Sequence, residues 1–71
     1  MKIKGTIVYN DFEGGFWGIM GDDHQPYRPI NPLPTTVQKP GCRVEAVLKP
    51  TQALSFAMWG RSVEIDTIRP L

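Results

Sequence analysis

The chain has 71 residues, a formal net charge of +1, and a single cysteine. This length fits one domain with a modest core, and one cysteine excludes an internal disulfide. The near-neutral charge lacks the basic excess that dedicated nucleic-acid modules usually carry. Cys42 is expected to be a buried small hydrophobe, which fits a reducing cytoplasm, and no apolar run predicts a signal peptide or a membrane span.

Seven prolines and seven glycines punctuate the chain, and no run free of both exceeds nine residues. A core helix usually needs about 10–12 residues, so the pattern predicts an all-β fold. The first strand is expected over residues 2–10 and the second over 16–20, with turns at 10–15 and 21–24. A third strand over 25–30 should be short or lie at an edge, because Pro26 and Pro29 cannot donate to a ladder.

The second half contains a connection and two clearer strands. Residues 31–41 form the connection, in which Pro34 predicts one helical turn over 34–39. Residues 51–59 fit a short helix or a strand, and their poor helix formers favour the strand. Alternation predicts a fourth strand over 42–49, with one face formed by Cys42, Val44, Ala46 and Leu48. A last strand over 62–68 should place Val63, Ile65 and Thr67 opposite Glu64, Asp66 and Ile68.

Two glycines inside strands, Gly5 and Gly18, indicate sharp bends or close approach of another backbone, as a very small barrel requires. Five strands, a bent first strand, a hairpin between the second and third, and a longer link before the fourth resemble an OB-fold across nearly the whole chain. The run 14–23 with Met58-Trp59-Gly60 is similar to small OB-like domains of an uncharacterised family. The expected fold is a five- to six-stranded barrel with at most one helical turn; an SH3-like barrel is the alternative.

The sequence offers few side chains that could act together as a catalytic site. His24 follows Asp22 and Asp23 in a segment that reads as a solvated turn, and zinc sites need more ligands in recognisable spacing. The oxygens of residues 10–13 are too few for a calcium loop. Cys42 has no base indicated nearby. The sequence therefore predicts a non-enzymatic protein without metal or cofactor.

The aromatic residues indicate binding instead. In the second strand the pleat separates Phe16, Gly18 and Met20 from Trp17 and Ile19, and we expect the latter pair to point inward. OB-folds bind oligonucleotides or oligosaccharides on the face of strands two and three. The resemblance therefore implies an exposed site for single-stranded nucleic acid, built from Phe16, Met20, Tyr27, Arg28 and Arg61.

Two alternatives use the same residues. An apolar outer patch suits docking on a protein partner or weak self-association as well as it suits nucleic acid. The link over residues 31–40 would leave no site if it folded over Phe16 and Met20.

Overall fold

The computed structural model describes residues 1–11, 14–51 and 59–71. Within these ranges the chain is built from five strands and one short 3-10 turn, which confirms the all-β prediction. Every strand end lies within two residues of its predicted position. The strands are β1 (Lys2–Asn10), β2 (Phe16–Gly21), β3 (Pro26–Pro29), β4 (Arg43–Pro50) and β5 (Arg61–Pro70). The strand expected over 51–59 lies mostly outside the described residues.

The strands close into a barrel in the order β1-β2-β3-β5-β4. Strands β1 to β4 follow the spatial order 4-1-2-3, which is a Greek key. Strand β5 completes the barrel between β3 and β4, parallel to the first and antiparallel to the second. Strand β3 is short, as its prolines predict, but it has a neighbour on each side and is not an edge strand.

Strand β1 changes partner at Gly5. Residues 2–6 pair with β4 and residues 5–10 pair with β2. A Cβ atom at Gly5 would lie 2.6 Å from the carbonyl oxygen of Met20 and 2.9 Å from Cγ2 of Ile19. No side chain fits at that distance, so glycine is required where the barrel turns.

The barrel interior is filled by apolar side chains from all five strands and the link. The predicted inner face of β4 is confirmed, since Val44, Ala46 and Leu48 are buried. The expectation that Cys42 is buried is wrong, because it precedes β4 and is only half-buried, packed against the core. The buried set is Ile7, Ile19, Tyr27, Leu33, Val37, Val44, Ala46, Leu48, Val63 and Ile65.

Strand β5 differs from its predicted alternation after Ile65. Val47 pairs with Thr67 whereas Leu48 pairs with Ile65, so one extra residue is accommodated on β5. Such a bulge reverses the facing of the residues beyond it. Thr67 is therefore exposed and Ile68 packs against the core, the opposite of the simple alternation.

The link between β3 and β4 packs on β5 and into the barrel. Its 3-10 turn spans Thr35–Val37, inside the predicted segment, and Pro34 precedes it. Val37 and Leu33 are buried in the core. The Asn31 amide donates to the Ile65 carbonyl and accepts from the Ile65 N–H, both at 2.9 Å. The link is thereby held against β5.

Candidate binding face

The register of β1, β2 and β3 decides which side chains face outward. Ile19 pairs with Ile7 on one side and Tyr27 on the other, and all three are buried inside the barrel. Their neighbours along each strand must therefore point away from the core. Met20 does so and is 36% exposed. We call the outward cluster of Phe16, Gly18, Met20, Arg28 and Trp59 the aromatic face.

Three side chains of the aromatic face are in contact, in the order Arg28, Phe16 and Trp59. The guanidinium carbon of Arg28 lies 3.9 Å from the centroid of the Phe16 ring, a cation–π contact. The Phe16 ring in turn lies 5.7 Å from that of Trp59, with the planes tilted by 59°. All three residues are half-buried. The cluster offers aromatic and cationic surface together.

Trp59 lies directly over Gly18. A Cβ atom at Gly18 would overlap the end of the Trp59 indole, so this strand position can only be glycine while the indole stays there. The expectation that another backbone approaches Gly18 is wrong, because the group that comes close is the Trp59 side chain. Gly60 turns the chain into β5 with a φ of 81°, and a Cβ there would lie 3.3 Å from the Arg28 backbone nitrogen. This tight turn brings Trp59 onto β2.

A buried polar atom lies beside Gly18. The side-chain nitrogen Nδ2 of Asn10 is buried and has no hydrogen-bond partner among residues 1–11, 14–51 and 59–71. It lies 3.5 Å from the position of a Cβ at Gly18, next to the indole of Trp59. Asn10 pairs with Phe16 across β1 and β2. A buried side-chain donor thus lies at the edge of the aromatic face.

The structure brings together three of the five residues expected to form the site. Phe16, Met20 and Arg28 share the aromatic face. Tyr27 does not: the expectation that it lies beside Met20 on the outside is wrong, because it is 3% exposed and points inward with Ile19. Arg61 is exposed but pairs with Tyr27 in the ladder between β3 and β5.

Arg61 belongs to a separate groove of about 410 Å³ at the end of the barrel. Met1, Gln25 and Asp23 also line this groove. The Tyr27 hydroxyl donates to a carboxylate oxygen of Asp23 at 2.8 Å, and the other oxygen accepts from the Gln25 N–H at 3.0 Å. The Gln25 N–H and then the Tyr27 hydroxyl lower the pKa of Asp23, whereas burial raises the pKa of Tyr27. These bonds fix the β2–β3 turn and leave little reactivity.

The outer face of β4 and β5 is occupied by ion pairs, in contrast to the aromatic face. Arg43 binds Asp22 through two hydrogen bonds of 2.6 and 2.7 Å, and this pairing lowers the Asp22 pKa. Glu45 accepts from Arg69 at 3.1 Å, which lowers the Glu45 pKa, and Lys2 lies 3.5 Å away. Opposite charges that satisfy one another are typical of a solvated surface. This face is a poor candidate for a binding site.

The described part of the chain contains no group of three or more His, Cys, Asp or Glu side chains that could hold a metal ion. His24 sits in the β2–β3 turn with a φ of 65°. Cys42 has its sulfur 3.7 Å from the Arg43 carbonyl oxygen. Within the described residues, the structure shows no hydrogen bond from either side chain to a group that could act as a catalytic partner.

Comparisons with family models, with curated proteins and with solved structures return no significant match. Among the residues described, no helix has the length and apolar character needed to cross a membrane. The site must therefore be interpreted from its own geometry. Sequence reasoning found Phe16, Met20 and Arg28, and it missed Trp59 and Asn10. The glycine at position 18, inside a strand, was the signal that another group covers that point.

Proposed function

We propose that this protein is a non-enzymatic binding module that holds single-stranded nucleic acid on the aromatic face. The observation that carries the proposal is the cluster in which the Phe16 ring contacts the Arg28 guanidinium on one side and the Trp59 ring on the other. Unpaired bases stack on aromatic rings and on guanidinium planes, with about 1–3 kcal/mol per base. Half-buried rings suit this role, because packing from below holds them while the outer surface receives the base.

The fold supports the same assignment. An OB-fold is a five-stranded Greek-key barrel that binds oligonucleotides or oligosaccharides on its second and third strands and on the flanking loops. The order β1-β2-β3-β5-β4 contains a Greek key and has five strands, as such a barrel does. The aromatic face occupies β2 and β3, with Trp59 at the entrance to β5. A fold by itself does not define a function, and the cluster of Arg28, Phe16 and Trp59 provides the chemical basis for binding.

The charge of the chain sets the expected strength of binding. With a net charge of +1, only a few phosphates can be neutralised. Arg28 is the arginine of the aromatic face, whereas Arg61 lines the separate groove. One phosphate contact predicts a slope of log affinity against log salt of about −0.7 for a single strand. Binding should be weak and should depend more on stacking than on phosphates.

The proposal is tested by fluorescence anisotropy of a labelled oligo-dT at low salt. Arg28→Ala removes the guanidinium from the Phe16 ring, and Arg69→Ala removes the same charge from the opposite, ion-paired face. We expect Arg28→Ala to weaken binding about tenfold, since both a stacking surface and a charge are lost. Arg69→Ala should change the affinity by no more than about twofold. Equal losses in both variants would mean that only overall charge matters and would contradict the proposal.

A protein partner is the second candidate function. Apolar side chains near β3 remain in contact with solvent, with Met20 36% and Ile30 51% exposed. Together with the low net charge, these favour apolar docking on another protein or weak self-association. This function predicts no oligonucleotide binding at low salt. It predicts instead a concentration-dependent rise in sedimentation coefficient, or a bound protein, that persists at high salt and is lost in Met20→Asp.

A further inference from the structure

The groove at the end of the barrel holds two charged side chains of opposite sign, Asp23 and Arg61. Its volume of about 410 Å³ lies within the range of small-molecule sites. Both residues belong to the described part of the chain, and they form no ion pair with each other. Opposite charges that share a groove without pairing leave space between them for a ligand that carries both charges.

The Asp23 carboxylate is fixed in position and keeps its charge. It accepts from the Tyr27 hydroxyl at 2.8 Å and from the Gln25 N–H at 3.0 Å, and both donors are neutral groups. The Gln25 N–H and then the Tyr27 hydroxyl lower the pKa of Asp23, so the carboxyl is ionised at neutral pH. Each carboxylate oxygen has two lone pairs, so each can accept a further hydrogen bond from a ligand. The adjacent Asp22, in contrast, is bound to Arg43.

Arg61 lies near the same Tyr27 hydroxyl. Burial and the hydrogen bond to Asp23 raise the pKa of Tyr27, and the positive charge of Arg61 opposes that rise. The hydroxyl is therefore within electrostatic range of both charges. Arg61 is exposed, and its guanidinium presents donors in a planar fork that matches a carboxylate.

We propose that this groove binds a small zwitterion of the free amino acid class, with the ligand's carboxylate on Arg61 and its ammonium on Asp23. Met1 and Pro26 line the same groove and provide carbon surface for an apolar side chain. The groove is separate from the aromatic face, so the inference goes beyond the proposed function and does not depend on it.

The experiment compares three compounds by nuclear magnetic resonance titration of the 15N-labelled protein. L-leucine carries both charges, 4-methylpentanoate lacks the ammonium, and 3-methylbutylamine lacks the carboxylate. We expect L-leucine to bind at least about fivefold more tightly than either of the others, the factor for one hydrogen bond. The largest shifts should occur at the backbone amides of Gln25 and Tyr27. Shifts centred elsewhere, no binding of L-leucine up to its solubility, or equal binding of a compound with one charge would overturn the inference.

Two variants assign the two charges of the ligand. Arg61→Ala should weaken L-leucine and 4-methylpentanoate about fivefold and leave 3-methylbutylamine unchanged. Asp23→Asn, whose side-chain oxygen can still accept from the Tyr27 hydroxyl, should weaken L-leucine and 3-methylbutylamine instead. Arg69→Ala, on the ion-paired face, is the control and should change none of them. L-leucine affinity that is the same in Arg61→Ala as in the wild type would overturn the inference. Oligo-dT binding should be unchanged in Arg61→Ala, so this inference and the proposed function fail separately.

Discussion

The indole of Trp59 occupies the space that a side chain at Gly18 would need. Gly18 lies in the middle of β2, where glycine otherwise weakens a strand. The contact explains why glycine stands there, and it ties the entrance of β5 to the outer side of β2. The aromatic face is therefore part of the packing of the barrel. Gly18 leaves room for the Trp59 ring, and that ring also contacts Phe16.

Gly18→Ala should displace the indole and destabilise the protein. We expect a loss of about 1–2 kcal/mol, toward the lower end for overpacking, because the end of a half-buried ring can move more easily than backbone. The Trp59 fluorescence should shift to the red as the ring enters water. The matched control is the double variant with Trp59→Ala. If Gly18→Ala lowers the free energy of unfolding equally in the wild type and in Trp59→Ala, the contact with the indole is not the reason that position 18 is glycine.

Phe16 and Ile19 lie on opposite faces of β2 and should respond differently to truncation. Ile19 is fully buried, so Ile19→Ala should cost about 2–5 kcal/mol and strongly lower the melting midpoint. Phe16 is half-buried and keeps contact with water, so Phe16→Ala should cost less, about 1–2 kcal/mol, and leave a folded protein that no longer binds oligo-dT. An unfolded Phe16→Ala protein would make Phe16 a core residue and exclude it from the site.

Acid should destabilise the protein in a narrow range of pH. Asp22 and Asp23 have lowered pKa values in the folded state, through hydrogen bonds from Arg43 and from the Gln25 N–H respectively. A carboxyl with a lower pKa in the folded state contributes stability above its unfolded pKa, and this is lost as the pH falls through the folded value. The melting midpoint should therefore be steady down to about pH 4.5 and decrease below about pH 4.

Two variants test whether Asp22 and Asp23 cause this loss of stability in acid. Asp22→Asn and Asp23→Asn should each be less stable than the wild type near neutral pH and should show a shallower decrease on acidification. Both side chains are exposed, so each effect should be small. Decreases as steep as in the wild type for both variants would show that other groups control the acid response.

Much of the barrel could be predicted because its strands are marked by local signals. Glycines and prolines delimit the strands, and alternation gave the inner face of β4. Tyr27 was misplaced because its facing depends on the β2–β3 register, in which it pairs with Ile19, and no local pattern in a strand with two prolines defines that register. The predicted facings of Thr67 and Ile68 were reversed, because a strict alternation of inward and outward residues does not include a bulge.

The candidate site was less predictable than the fold, for a related reason. Phe16 and Met20 follow from the pleat of one strand, but Trp59 reaches them from a distant part of the sequence. Its position depends on the turn at Gly60, whose positive φ brings the indole back over β2. Asn10 gave no signal at all, since an asparagine at the end of a strand is ordinary turn chemistry. Only the three-dimensional structure shows that its Nδ2 atom is buried without a hydrogen-bond partner among the described residues.

A nuclear magnetic resonance titration of the 15N-labelled protein with oligo-dT at low salt tests the aromatic face most directly. We expect the largest shifts at the backbone amides of Phe16, Gly18 and Arg28 and at the indole N–H of Trp59. The amides of Glu45 and Arg69, on the ion-paired face, should move little. Shifts centred on that face, or no shifts at high oligonucleotide concentration, would contradict the assignment of the aromatic face as a nucleic-acid site.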